Sequence, residues 1–168
     1  MLEVRAETLP VGCLLECYRD NGAYTDCFVT EVDGTMEHSE YVYAFYTSWL
    51  FKIERFILRW VVNKPSNDKD AAVLALEGGD RFSAWSVEGR TANQLLMCDY
   101  QKRTRSWFMT TPLDSRKRTK LYFGSAVVPL RPDGKKDRAF DMAFHLLVRF
   151  HRFYARALLR EAVGNLRS

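Results

Sequence analysis

The chain has 168 residues, a length at which one domain with a single core buries roughly two-thirds of its unfolded surface. Apolar residues make up 47% and aromatics 14%, which excludes a disordered chain. Twenty-five Lys and Arg against twenty-one Asp and Glu leave +4, too mild a charge to mark a nucleic-acid binder without a clustered patch.

One domain over residues 1–168 is therefore expected. Four cysteines (Cys13, Cys17, Cys27 and Cys98) with no signal peptide before them read as reduced thiols in a cytoplasmic protein. Cys13 and Cys17 could share a helical face, but His38, His145 and His151 show no matching pair spacing, so no metal and no other cofactor is expected. The apolar run from Tyr41 to Val62 is long enough to span a bilayer. It carries Lys52, Glu54, Arg55 and Arg59, each costly at mid-membrane, so it reads as a buried helix pair and not as a membrane span.

In chain order, Arg19-Asp20-Asn21-Gly22 is a turn, and Tyr24 to Val32 (YTDCFVTEV) reads as the first strand, closed by Asp33-Gly34. Ser39 is a fair N-cap for a helix beginning at Glu40, with Lys52, Arg55 and Arg59 as its solvated stripe and Thr47-Ser48 as a break into two helices. Pro65-Ser66-Asn67-Asp68 stops that run and caps a short helix over Asp70 to Leu76, which Gly78-Gly79-Asp80 ends. Four aromatic and β-branched segments follow, at Arg81–Arg90, Gln94–Gln101, Arg105–Thr111 and Lys120–Pro129. Their short connections imply an antiparallel meander.

After the loop 131–136 a long helix is expected from about Asp137 to Val163, stopped by Gly164. One face carries Arg149, Arg152, Arg156 and Arg160. The opposite face carries Phe140, Phe144, Leu147, His151, Tyr154, Leu158 and Ala162, which places His151 and Tyr154 on the side that packs on the sheet. The expected fold class is thus α+β, an antiparallel sheet of about five strands with a helical pair after the first strand and a long C-terminal helix.

That element order, with the segments FSAWSVEGRT (Phe82–Thr91), TRSWFM (Thr104–Met109), LYFGSAVVP (Leu121–Pro129) and RFHRFYARALL (Arg149–Leu159), resembles a bacterial branch of the START-like and pollen-allergen-like helix-grip (SRPBCC) superfamily. The resemblance implies a curved sheet wrapped around the last helix, with a ligand cavity between them. It implies a fold and not a substrate, since that superfamily includes lipid and hormone carriers as well as aromatase and cyclase components.

Within such a cavity the candidate ligand-binding residues are Glu88, Arg90, Trp107, Tyr122, Ser125, His151 and Tyr154. Glu88 and Arg90 are two apart in a strand and so point to one face, where Arg90 could hold a ligand carboxylate and Glu88 act as acceptor or general base. The plainer alternative is a solvent-facing ion pair. His151 could donate a proton or anchor a ligand with Tyr154 one turn on, or be a core histidine satisfied internally, with Asp26 as a plausible partner. Trp107 and Tyr122 are ligand walls or ordinary core. Gly124-Ser125 marks a bulge or a close approach, and Ser125 lacks the flanking glycines of a nucleophile elbow.

Basic clusters at Arg116-Lys117-Arg118 with Lys120, and at Lys135-Lys136 with Arg138, read as solubilising turns, and nucleic acid is not an expected partner. The expected activity is binding of a small apolar or aromatic molecule between sheet and C-terminal helix. The alternatives are a cyclase-, hydratase- or hydrolase-type enzyme on the same fold, or a protein-interaction module, with homo-oligomerisation left open.

Overall fold

The computed structural model describes residues 3–48, 51, 67–100, 102–114, 117–128, 159 and 163. Seven strands form one antiparallel sheet: β1 (Arg5–Ala6), β2 (Tyr24–Asp33), β3 (Arg81–Phe82), β4 (Trp85–Arg90), β5 (Gln94–Asp99), β6 (Thr104–Leu113) and β7 (Arg118–Val127), in the order β1-β2-β7-β6-β5-β4-β3. Three described helices accompany it: α1 (Glu16–Asp20), α2 (His38–Thr47) and α3 (Asp68–Leu76).

This corrects the expected helix-grip-like fold class. The described chain is dominated by a seven-stranded sheet in place of about five strands, and its helices are short. Two strands escaped the reading because each has only two residues. β1 pairs Arg5 with Val29, and β3 is cut from β4 by a turn in which Ser83 takes a left-handed φ of 54°. The span expected to form a long C-terminal helix lies outside the described residues apart from Leu159 and Val163, both helical and fully buried. Leu158 and Ala162, read on its apolar face, lie outside them too, as does the second half of the Tyr41–Val62 helical pair.

The meander itself runs as the turn chemistry requires. β3 to β7 are successive antiparallel neighbours, and β2 closes on β7 through a ladder from Tyr24↔Val127 to Asp33↔Arg118. Strands β2, β6 and β7 are buried in continuous runs, not alternately. Burial on both faces explains that pattern.

One face carries the helices. Phe28, Val32, Leu95, Met97, Phe108, Leu121 and Phe123 meet Tyr41, Val42, Phe45 and Tyr46 of α2, Ala71 and Leu74 of α3, and Leu159 and Val163. Phe45 is the hub, with ring centroids 4.7 Å from Phe108 and 4.8 Å from Phe123. The other face is covered by the N-terminal segment, whose Leu9, Cys13 and Leu15 lie on Cys27, Val29, Leu96, Trp107, Met109, Tyr122 and Ala126. We call this segment, residues 7–23, the strap.

Helix starts follow local capping. Asn67 accepts hydrogen bonds from the backbone N–H groups of Lys69 (2.8 Å) and Asp70 (3.1 Å), so α3 begins two residues before the expected Asp70. For α2 the cap is Glu37 and not Ser39: Glu37 and Glu40 form a capping box, which draws His38 and Ser39 into the first turn. Among the described residues no helix is long and apolar enough to cross a membrane.

Candidate functional site

The candidate residues do not converge on one face. In β4 the register shifts between Val87 and Gly89, so that Val87 pairs with Met97 but Gly89 with Leu96 and Arg90 with Leu95. Glu88 is the extra residue of this bulge. A bulge breaks the two-residue alternation, and the expected Glu88–Arg90 pair is therefore separated: Glu88 turns to the strap face and Arg90 to the helix face.

On the strap face, the Tyr18 hydroxyl donates a hydrogen bond to Glu88 Oε1. Arg105 Nε donates to both Tyr18 Oη (2.9 Å) and Glu88 Oε2 (3.1 Å), and its guanidinium carbon lies 4.7 Å from the Tyr18 ring centroid. Burial first, and the Glu88 hydrogen bond second, push the Tyr18 phenol up to about 12, so it remains a donor at neutral pH. Beside this cluster Gln94 Oε1 accepts from the Leu14 backbone N–H and from Trp107 Nε1, both at 2.9 Å. The cluster fastens the strap to the sheet.

Trp107 is fully buried beneath the strap, its ring centroid 6.1 Å from that of Tyr122. Tyr122 sits under Lys120, whose Nζ lies 5.0 Å from the ring centroid and donates to Glu7 Oε2 at 2.7 Å. Ser125 belongs to the opposite, helix face and is fully buried. Its hydroxyl donates a hydrogen bond to Asp26 Oδ1, which also accepts the Ser125 backbone N–H at 3.1 Å. Asp26 thus serves Ser125. His151 and Tyr154 lie outside the described residues.

Tyr18→Phe is expected to cost about 1–2 kcal/mol, because it removes a hydroxyl that bonds two charged groups. Hydrogen exchange should quicken at the Leu14 amide while the amides of β6 and β7 stay protected. Equal loss across the sheet would show that the phenol does not act locally on the strap.

The helix face carries a cleft of about 150 Å³. Its walls are the start of α2 (Glu37, His38, Ser39, Val42), the end of α3 (Leu74, Ala75) and the β4–β5 hairpin (Arg90, Thr91, Ala92, Leu95). Arg90 caps α3: Nη1 and Nη2 each donate to Leu74 O at 3.1 Å, and Nη2 donates to Gly79 O at 2.7 Å. Three of five N–H donors are thereby used, so the expected bidentate grip on a ligand carboxylate is not open to it.

His38 is the residue that sequence reading passed over. Both its ring nitrogens are buried without a hydrogen-bond partner. Burial first, and the Arg90 charge second, lower its pKa to about 4, so the imidazole is neutral at physiological pH. Only its place in the first turn of α2, disguised by the misread cap, could have pointed to it. Arg105 was more legible, since a strand cation of the same parity as Trp107 and Met109 must face the same covered side.

Arg118 and Lys120, read as part of a basic cluster, are paired. Arg118 contacts Glu31 and Asp114, and Lys120 contacts Glu7. Arg116, Lys135-Lys136 and the residues of the expected Arg stripe (Arg149, Arg152, Arg156 and Arg160) lie outside the described residues. Cys13, Cys27 and Cys98 are buried, Cys17 is exposed, and all four are free thiols. Among the described residues no group of three or more His, Cys, Asp or Glu comes together as a metal set. The exposed large apolar residues Val11, Val73, Leu76 and Tyr100 are spread over three separate segments. No protein-family model and no curated protein sequence matches the chain.

Proposed function

We propose that this protein binds a small molecule, and that the cleft between α2, α3 and the β4–β5 hairpin receives it. One observation carries this reading: a partnerless, buried imidazole and a guanidinium share a concave space floored by Val42, Leu74 and Leu95. Buried polar atoms in native proteins are nearly always bonded, so each exception calls for an explanation, and a ligand is one. An apolar floor with a few convergent polar groups is the usual composition of a ligand site.

The size limits the guest. A space of about 150 Å³ holds one ring of benzene dimensions. The ligand is therefore a single-ring molecule, or the ring-sized end of a longer one, and its apolar part rests on the leucines.

The test is a nuclear magnetic resonance screen of single-ring molecules against protein with labelled Val and Leu methyl groups. Supporting hits shift Val42, Leu74 and Leu95 together, and lose that effect in Ala92→Trp, which places an indole at the mouth of the cleft. Hits that shift only methyls under the strap, or an absence of hits, would overturn the assignment.

A further inference from the structure

We infer that the cleft selects a neutral ligand bearing an amide-like edge, one hydrogen-bond donor beside one acceptor, as in a primary carboxamide or a lactam. This rests on the cleft being a binding site, and it names the chemistry that site recognises.

The charges on the walls favour neither sign of ion. Arg90 stands on one wall, held in place by the carbonyls of Leu74 and Gly79, and opposes a cation. Glu37 stands on the other, held by its capping box with Glu40, and opposes an anion. The N-terminus of a helix ordinarily attracts anions, but here the Glu37 carboxylate already takes that place. With one formal charge of each sign the lining carries no net charge, so an ion of either sign loses at one wall what it gains at the other, while the dipole of a neutral amide can align with the field between them.

The neutral groups fix the rest. A neutral imidazole offers one N–H and one lone pair, and His38 has both unspent. The ring lines the cleft with both nitrogens shielded in the free protein; the His χ2 torsion is broad, and recognition requires a turn about it that presents a nitrogen to the guest. Ser39 adds a hydroxyl that donates or accepts, whereas the Thr91 hydroxyl already donates to Asn93 Oδ1 at 3.3 Å and accepts the Asn93 N–H at 3.4 Å. An amide edge complements each of these in turn, whereas a plain hydrocarbon leaves His38 unbonded. Sites built to hydrogen-bond a polar edge reject analogues that lack it far more strongly than apolar pockets reject a change of size.

Benzamide, benzoate and benzylammonium share one ring and differ in charge and edge, which makes them the probes. Each is titrated at pH 7 while the His38 ring and Leu95 methyl signals are followed. Benzamide is expected to bind at least about tenfold more tightly than either ion, and His38→Phe should reduce that preference to within about twofold. His38→Phe keeps the ring and removes two unbonded polar atoms, so it should fold. His38→Leu serves as a second apolar variant.

Benzoate or benzylammonium binding as tightly as benzamide on the same signals would overturn the inference and leave the cleft a binding site. A benzamide preference surviving both His38 variants would do the same. Failure of all three probes to move cleft signals would overturn the cleft assignment along with it.

Discussion

Gly124→Ala is expected to destabilise the protein by about 2–3 kcal/mol, with the same helix and strand content in what remains folded. A Cβ at Gly124 would lie 2.8 Å from the Asp26 backbone oxygen, 2.8 Å from Trp107 Cε3 and 3.0 Å from Leu15 Cδ2. No real Cβ tolerates the first two distances, and the first neighbour is main chain of the adjacent strand, fixed by the β2–β7 ladder. Relief must come from moving the Trp107 ring or from bending β7 at the centre of the sheet. Gly89 is the control. A Cβ there meets Leu14 Cδ1 at 3.4 Å, an ordinary contact, so Gly89→Ala should change stability by no more than about 0.5 kcal/mol. Urea unfolding of the two variants side by side decides the matter, and equal costs would refute the close-approach explanation. Leu15→Ala combined with Gly124→Ala should be less stable than Gly124→Ala alone, because it empties a fully buried site while the backbone clash remains.

The second large effect is a stability that falls with acid through one histidine. In the unfolded chain His38 titrates near 6.5, and in the folded protein near 4. Between those values the unfolded state binds a proton that the folded state refuses, so stability declines as pH falls from about 6.5 and levels off below about 4. The full decline from this residue is about 3 kcal/mol. Arg90 and Glu37 are the charged groups lining the same cleft, and Arg90 contributes to the depression. Urea unfolding of the parent protein and His38→Phe from pH 7 to pH 4 isolates it, since the carboxylates titrate alike in both. At pH 7 the variant should be more stable by about 1–2 kcal/mol, having lost two unbonded buried polar atoms. The gap should then widen by about 3 kcal/mol at pH 4. A gap that stays constant with pH would mean that the imidazole is exposed enough to protonate without penalty.

A gain in stability paired with a loss of amide binding is the trade expected of a group kept for recognition. It also separates the roles of the two cleft residues. Arg90 ends α3 through three hydrogen bonds, so its removal should unfold that helix end whatever the ligand. Among the described residues the His38 imidazole makes no hydrogen bond in the free protein.

Much of the sheet was legible because runs rich in aromatic and β-branched residues, bounded by short polar turns, are local signals. β5, β6 and β7 fall within two residues of the expected starts, and their antiparallel order followed from short turns. What failed depended on single backbone choices that side-chain pattern does not report. The left-handed Ser83 divides one expected strand in two, and the extra residue at Glu88 rotates it away from Arg90. Both read as ordinary strand letters. The strap was invisible for another reason: Leu9, Cys13 and Leu15 have no helical or strand period, and their burial depends on a sheet face built by residues far along the chain. His38 was missed through its cap, because Ser39 is the better N-cap by type and only the reciprocal Glu37–Glu40 box moves the start of α2 ahead of it.

The partnership of β2 with β7 also sets a clock on the chain's assembly. Asp26 and Ser125, bonded across that ladder, are 99 residues apart in sequence, so the central pairing of the sheet is also one of its longest loop closures. At synthesis rates of about 5–20 residues per second, β2 leaves the ribosome several seconds before the strand it must join exists. During that interval Phe28, Val29 and Val32, together with the strap's leucines, have no sheet to cover. Closure of such distant strands is slow by its topology, and the nascent N-terminal third is the stretch on which a holding chaperone would be needed first.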